Sequence, residues 1–371
     1  MLLPSKSFGW KKCDRILCVG IDESSKHDSQ HISGDNTGIQ VWTCLATWVT
    51  VIGLIGNLST LLVLIKNKGM IPKIGRILLI QQTFLDTIVC SMGIGIYTQP
   101  YMWMTGNVII DLMLCQAWHG QALYWTFVLL SGWNVVLMAF DRFIVINHPL
   151  KHRVISIIDI GKIYVVLYLS GFIFLLPTYF FVTFETKSEG SNACLDKPYI
   201  KYNGFWKFYG VFWFIILYAI PVALLLVLYA KIKIRLNDSR RCVCQFDDSS
   251  SVESGINAIR IRNFERADRQ MTKTSITIGI VFAISLGWDA FYCMLGFTKI
   301  INYEFNKPLQ VTGVFLATLD SCCTPFIYLA SMPVFREKML DIFGNRNIKR
   351  KSSQSYDQNQ CSEDQPILRL L

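Results

Sequence analysis

Asp141, Arg142 and Phe143 stand in a row near the end of a long apolar stretch. A charge near the hydrocarbon boundary is costly, and such charges usually mark function, so this pair suggests a polar switch rather than filler. Two further acids, Asp86 and Asp320, lie within other apolar stretches, and Ser131 and Asn134 share the stretch that carries Arg142. Two carboxylates in a low-dielectric core cannot both stay ionised without a cation or a shared proton. The plainer alternative is that Asn57, Asp86, Ser131, Asn134 and Asp320 are hydrogen-bonding glue between helices, at about 0.6 kcal/mol per bond. The expense of mid-membrane charge favours a cation or proton site over glue. No Ser/His/Asp set or phosphate loop stands in a context that would support catalysis, so no enzymatic activity is expected. Cys242-x-Cys244 and Cys322-Cys323 lack nearby histidines, which argues against zinc.

The elements that must hold these residues are seven apolar runs, at about 41–66, 76–99, 112–146, 158–182, 205–232, 273–300 and 310–331. A span needs about 20 apolar residues to cross roughly 30 Å of hydrocarbon. Without water to satisfy the backbone each run must be helical, so the expected fold is an all-α seven-helix membrane bundle. Composition agrees: 52% of the 371 residues are hydrophobic and only 17% charged, where a soluble chain carries about 25%. The net charge of +10 gathers in loops between the runs, a topology signal rather than a nucleic-acid footprint. Lys66, Lys68, Lys73 and Arg76 follow the first run, and Lys231 to Arg241 and Arg260 to Lys273 flank the loop after the fifth. Residues 100–111 hold no Lys or Arg. The basic loops are therefore expected inside the cell, with the N-terminus outside and the C-terminus inside.

Residues 1–40 read as a polar extracellular tail and 41–331 as the membrane domain. No secretory signal peptide is expected in the tail, so the first span would act as its own insertion signal. Residues 332–344 hold an amphipathic stretch with Phe335, Met339, Leu340 and Phe343 on one face, suited to the inner membrane surface. The polar residues 345–371 are expected to be a disordered cytoplasmic tail, and the Ser/Asp-rich 238–258 a flexible cytoplasmic loop.

Several residues, in order and in the right runs, are similar to those of rhodopsin-like (class A) G-protein-coupled receptors over roughly 41–345. They include Gly56-Asn57, Asp86, Cys115, Ser131, Asp141-Arg142-Phe143, His148-Pro149-Leu150, Pro177, Cys194, Pro221, Tyr229, Trp288 and Thr324-Pro325-x-x-Tyr328. The resemblance implies a disulfide between Cys115 and Cys194, both placed outside where disulfides persist. Cys13 and Cys18 could close a second small loop. It implies a sodium site at Asp86, Ser131 and Asp320, and no other cofactor. It also implies an activation set of Asp141, Arg142, Phe143, Tyr229, Pro325 and Tyr328, in which the Arg engages a heterotrimeric G protein when the inner helix ends open. Ligand contacts are expected from Gln121, Tyr124, Trp125 and Val128, and across the cavity from Trp213, Leu217, Trp288, Phe291, Leu295 and Val314.

The departures carry information too. Cys115 lies about two positions further from Arg142 than the family spacing, so an irregular top of the third helix is expected. The proline after Trp288 is missing, Thr324 replaces the usual Asn, and Gln270 replaces the inner acid of the sixth span, with Glu265 and Asp268 nearby. Tyr124 stands where amine receptors carry an acid, which argues against a biogenic amine. Thr318 stands where opsins carry the retinal lysine, which argues against a light receptor. A secondary transporter would show inverted repeats, and none is visible. The expectation is a plasma-membrane receptor for an extracellular ligand, a peptide by preference, coupled to a G protein. Receptor kinases and arrestin would act through serines 249–251, 352, 353 and 355.

Overall fold

The computed structural model describes residues 35–69, 71–98, 105, 107–180, 182–186, 192–196, 204–246, 255–301 and 308–343. Among them, seven stretches are long and apolar enough to cross a bilayer: Val41–Lys66, Lys73–Thr98, Val108–Asn147, Ile157–Thr178, Gly204–Arg235, Gln270–Phe297 and Pro308–Ser331. The first is carried by α1 (Asp35–Lys66) and the second by α2 (Lys73–Thr98). The third runs from α3 (Val108–Leu114) through a π-helical turn at Cys115–His119 into α4 (Ala122–Asn147). A short α5 (Pro149–Val154) leads to the fourth, α6 (Ile157–Leu175). The fifth joins α7 (Gly204–Phe214), a second π-helical turn at Ile215–Ala219, and α8 (Ile220–Phe246). The sixth is α9 (Gly255–Phe297), the seventh α10 (Pro308–Ser331), and α11 (Pro333–Phe343) follows.

The third span is the hub of the bundle. α4 packs on α2, α6, α8 and α9, while α2 and α10 pack on each other and on α1. Close approach depends on small residues, which let helix backbones meet in lipid. A Cβ on Gly53 of α1 would fall 2.5 Å from Cys322 Sγ of α10, and one on Gly132 of α4 would fall 2.6 Å from the Phe282 ring of α9.

The start of the third span is irregular, as the spacing of Cys115 predicted. Asn107 caps α3 by accepting from the Ile109 amide at 3.0 Å, and Asp111 accepts from the amide and hydroxyl of Thr105 at 2.7 and 2.8 Å. The π-helical turn then widens and underwinds the helix, and Gln121 restarts it from a left-handed backbone at φ 55°. That conformation is uncommon for a residue with a side chain. Beside the turn packs a hairpin of β1 (Val182–Thr186) and β2 (Asn192–Asp196), with Phe184 opposite Cys194. The hairpin is a small addition to the expected all-helical bundle. Cys115 is disulfide-bonded, and so is Cys44 in α1, which the sequence did not single out.

Three boundaries differ from the sequence reading. Helix α1 begins at Asp35, inside the stretch assigned to the tail. Helices α8 and α9 reach Phe246 and start again at Gly255, so most of the expected 238–258 loop is helical. On α11, Phe335 is buried against Tyr328 with ring centres 5.9 Å apart, and Met339 and Ile342 pack on the core, but Leu340 is exposed. Leu340 thus faces away from the bundle, because Ile342 completes the inward stripe at helical spacing. Residues 1–34, with Cys13 and Cys18, and serines 249–251, 352, 353 and 355 lie outside the described residues.

Candidate functional site

Functional side chains gather at three levels along the bundle. At one end, Arg142 is almost fully buried and donates through Nε to Asp141 Oδ2 at 3.0 Å, a contact reinforced by its Nη2 on the same oxygen. The second carboxylate oxygen faces His152 Nε2 at 3.0 Å, which ties α5 to the same acid. Across the bundle the guanidinium meets Met271 Sδ of α9 at 3.6 Å. Met271, a thioether, thus lies against Arg142 one position beyond Gln270, where the sequence reading put the substituted acid. A cavity of about 20 Å³ lies here between Arg142, Gly75, Met271, Ile278 and Met332. Tyr229 holds α8 to α9 by donating to the Ser275 carbonyl at 2.6 Å. Phe143 points the other way, stacked near Phe140, with Lys231 Nζ 5.9 Å from its ring centre. Tyr328 and Pro325 are buried in α10.

The middle level is a polar cluster centred on Asp86. Its Oδ1 accepts from Gln82 Nε2 at 3.1 Å, Ser131 Oγ at 3.0 Å and Ser321 Oγ at 3.0 Å. Gln82 also donates to Ser131 Oγ at 2.6 Å and accepts from Asn134 Nδ2 at 2.9 Å, while Tyr164 donates to Asn134 at 2.6 Å. Four spans are joined by this chain of bonds. Asp320 does not bond Asp86 directly. It lines a cavity of about 10 Å³ with Val128, Ser131, Phe282, Leu286, Ala317 and Ser321, room for about one water-sized occupant. Oδ2 of Asp86 and Oδ1 of Asp320 are buried and lack a hydrogen-bond partner.

The third level lies towards Cys115. Gln121, Tyr124, Trp125, Trp213, Leu217 and Val314 are all buried. Tyr124 donates to the Val314 carbonyl at 3.0 Å and meets Thr318 Oγ1 at 2.9 Å, while Gln121 accepts from Gln310 at 2.9 Å. Val128 lies deeper, in the wall of the Asp320 cavity, and Leu295 is half-buried.

Comparison with known proteins agrees with this arrangement. Residues 56–328 match the model of the 7 transmembrane receptor (rhodopsin family). The chain belongs to that family. Among curated relatives, the melanin-concentrating hormone receptor 1 of Mus musculus is 20% identical over 306 residues, covering 79% of this chain and 78% of the relative. G-protein coupled receptor 183 is 24% identical over 309 residues in Mus musculus, covering 79% of this chain and 78% of the relative. The human form is 23% identical over 323 residues, covering 83% and 80%.

Within this rhodopsin-family bundle, two expected cavity residues are misplaced by the sequence reading. Trp288 and Phe291 are 45% and 47% exposed. Trp288 Nε1 donates to the Leu309 carbonyl at 3.2 Å, and Phe291 packs on Phe214 at 4.8 Å. The inward stripe of α9 is instead Phe282, Leu286, Asp289, Ala290, Cys293 and Phe297, at steps of three and four. Trp288 is two residues from Leu286, so about 200° around the helix. With the family proline missing, the tryptophan alone could not set the register. Gln82 and Ser321 were also missed. Gln82 stands one turn before Asp86 on the same face, and that spacing was the available signal.

Proposed function

We propose that the chain is a multi-pass receptor of the plasma membrane, N-terminus outside, that binds an extracellular ligand at the Cys115 end and activates a heterotrimeric G protein at the Arg142 end. The observation that carries this reading is Arg142 itself, buried and clamped to Asp141 beneath Met271. A charge held in this way is a latch. Swinging α9 outward would break the Met271 contact and expose the guanidinium. Ligand binding need only favour the open form by its differential affinity for the two states. The loops around Arg142 carry the basic residues, as the cytoplasmic side of a membrane protein does. Relatives named as a hormone receptor and as G-protein coupled receptors support the same reading, with a peptide ligand preferred. Phosphorylation of the serines in the cytoplasmic segments would then recruit arrestin through added charge.

The middle level would modulate this switch. Sodium takes oxygen ligands, and the partnerless oxygens of Asp86 and Asp320 beside the hydroxyls of Ser131 and Ser321 fit such an ion. Bound there, the ion would offset one carboxylate charge, and a proton on the other acid would complete the neutralisation that burial calls for.

The test is nucleotide exchange on a panel of purified G proteins, using membranes that hold wild-type receptor or Arg142→Ala. Wild type should raise exchange on at least one G protein, and the variant should lose most of it at equal surface expression. Exchange no higher than in receptor-free membranes, across the panel and with peptide extracts added, would defeat the proposal.

A further inference from the structure

Asp289 of α9 carries a chemistry that neither the latch nor the middle cluster uses. It is 2% exposed, and its Oδ1 has no hydrogen-bond partner. A Cβ placed on Gly313 of α10 would fall 2.7 Å from that oxygen, so the carboxylate lies against bare α10 backbone. Gly313 precedes Val314, whose carbonyl holds the Tyr124 hydroxyl. From Tyr124 a run of rings leads across to α7: Tyr124 to Trp125 at 5.2 Å and Trp125 to Trp213 at 5.9 Å, both edge-on. Trp213 Nε1 is likewise buried and without a partner.

Depth places this group in the ligand region. Asp289 is eight residues before the end of α9 at Phe297, about 12 Å along the helix. Asp320 is seven residues beyond Gly313, roughly 10 Å deeper, so the two acids belong to separate sites. An unpaired buried carboxylate is expensive and calls for a counter-charge. The protein offers none nearby: among the described residues the buried basic side chain is Arg142, at the opposite end. No group of three metal-ligating side chains stands here either, among the described residues. What a lone carboxylate beside aromatic rings accepts best is an organic cation, by ion pairing and by attraction to the ring faces.

We infer that Asp289 is the counter-ion for a cationic nitrogen, an amine or guanidinium, on the extracellular ligand. The inference rests on the receptor reading for where the ligand enters, and it names the ligand class that reading leaves open. It also accounts for Tyr124 at the usual amine-binding position, since here the acid is delivered from α9 instead of the third span.

The test uses full-length purified receptor in lipid nanodiscs and reads thermal unfolding with a thiol-reactive dye. The buried free thiols Cys90, Cys293 and Cys322 supply the signal. The probes are phenethylguanidinium, phenethylammonium and the neutral isostere phenethylurea, at millimolar concentration. The cations should raise the unfolding temperature of wild type and the urea should not. Asp289→Asn should weaken the cations by roughly thirtyfold or more, while Asp289→Glu keeps part of the preference. If Asp289→Asn does not fold, Asp289→Glu and the wild-type cation-to-urea contrast decide the matter. Equal shifts from cation and urea, no shift from either cation, or a preference that survives Asp289→Asn would overturn the inference. G-protein exchange measured on the same preparation separates the two proposals. Cation selectivity without exchange defeats the receptor reading alone, and exchange without cation selectivity defeats the Asp289 site alone.

Discussion

Replacing Gln82 with Met keeps most of the side-chain volume and removes the amide that ties the middle cluster together. Three hydrogen bonds go: to Asp86 at 3.1 Å, to Ser131 at 2.6 Å and from Asn134 at 2.9 Å. In membrane proteins such bonds average about 0.6 kcal/mol, so losing all three should cost roughly 2 kcal/mol. The figure is moderated by the contacts that remain. Ser131 still donates to Asp86, Ser321 still reaches the same oxygen, and Asn134 can still donate to the Leu78 carbonyl at 3.2 Å. The assay is reversible unfolding in mixed micelles with increasing fractions of denaturing detergent, where 2 kcal/mol is about a thirtyfold change in the unfolding constant. A double-mutant cycle with Asn134→Ala should show a coupling near 0.6 kcal/mol, because the pair shares one bond. A loss below about 0.5 kcal/mol, the range of neutral surface changes, would refute the idea that this network holds the spans together.

Other expectations follow from the same geometry. Leu286→Ala should destabilise by about 2–5 kcal/mol by opening a core cavity, while Trp288→Leu on the outward face should change unfolding little; the reverse order in the same unfolding assay would restore the sequence-based register. Cys115→Ser should sharply reduce surface expression, because a disulfide closing a long loop contributes roughly 3–5 kcal/mol on the entropic account. Mass spectrometry of non-reduced peptides should recover Cys115 linked to Cys194, and finding both as free thiols would count against the tether. Sodium at fixed ionic strength should raise the unfolding temperature of wild type, and Asp86→Asn and Asp320→Asn should each blunt that response. If all three proteins respond alike, the two acids are glue.

The sequence by itself determined the spans, their number and the places of the acids and of Arg142. Hydrocarbon thickness sets the length of each apolar run, and the backbone can satisfy itself there only as helix, so composition alone is decisive. The Asp141-Arg142 pair was legible for the same reason, as a charge too expensive to be accidental. The spacing of Cys115 even announced the break that Gly120 and Gln121 provide. What faces inward was another matter. Lipid is as apolar as a protein core, so hydrophobicity does not distinguish a helix's buried face from its lipid face. Trp288 and Leu286 are equally at home in either, and only the contacts of Trp288 with Leu309 and of Leu286 beside the third span decided between them. Tertiary structure also made Ser321 a partner of Asp86, joining residues 235 apart in the chain. It turned Asp289 from a stray acid beside a tryptophan into a buried carboxylate facing the bundle interior. Those are relations between helices, and no single helix carries them.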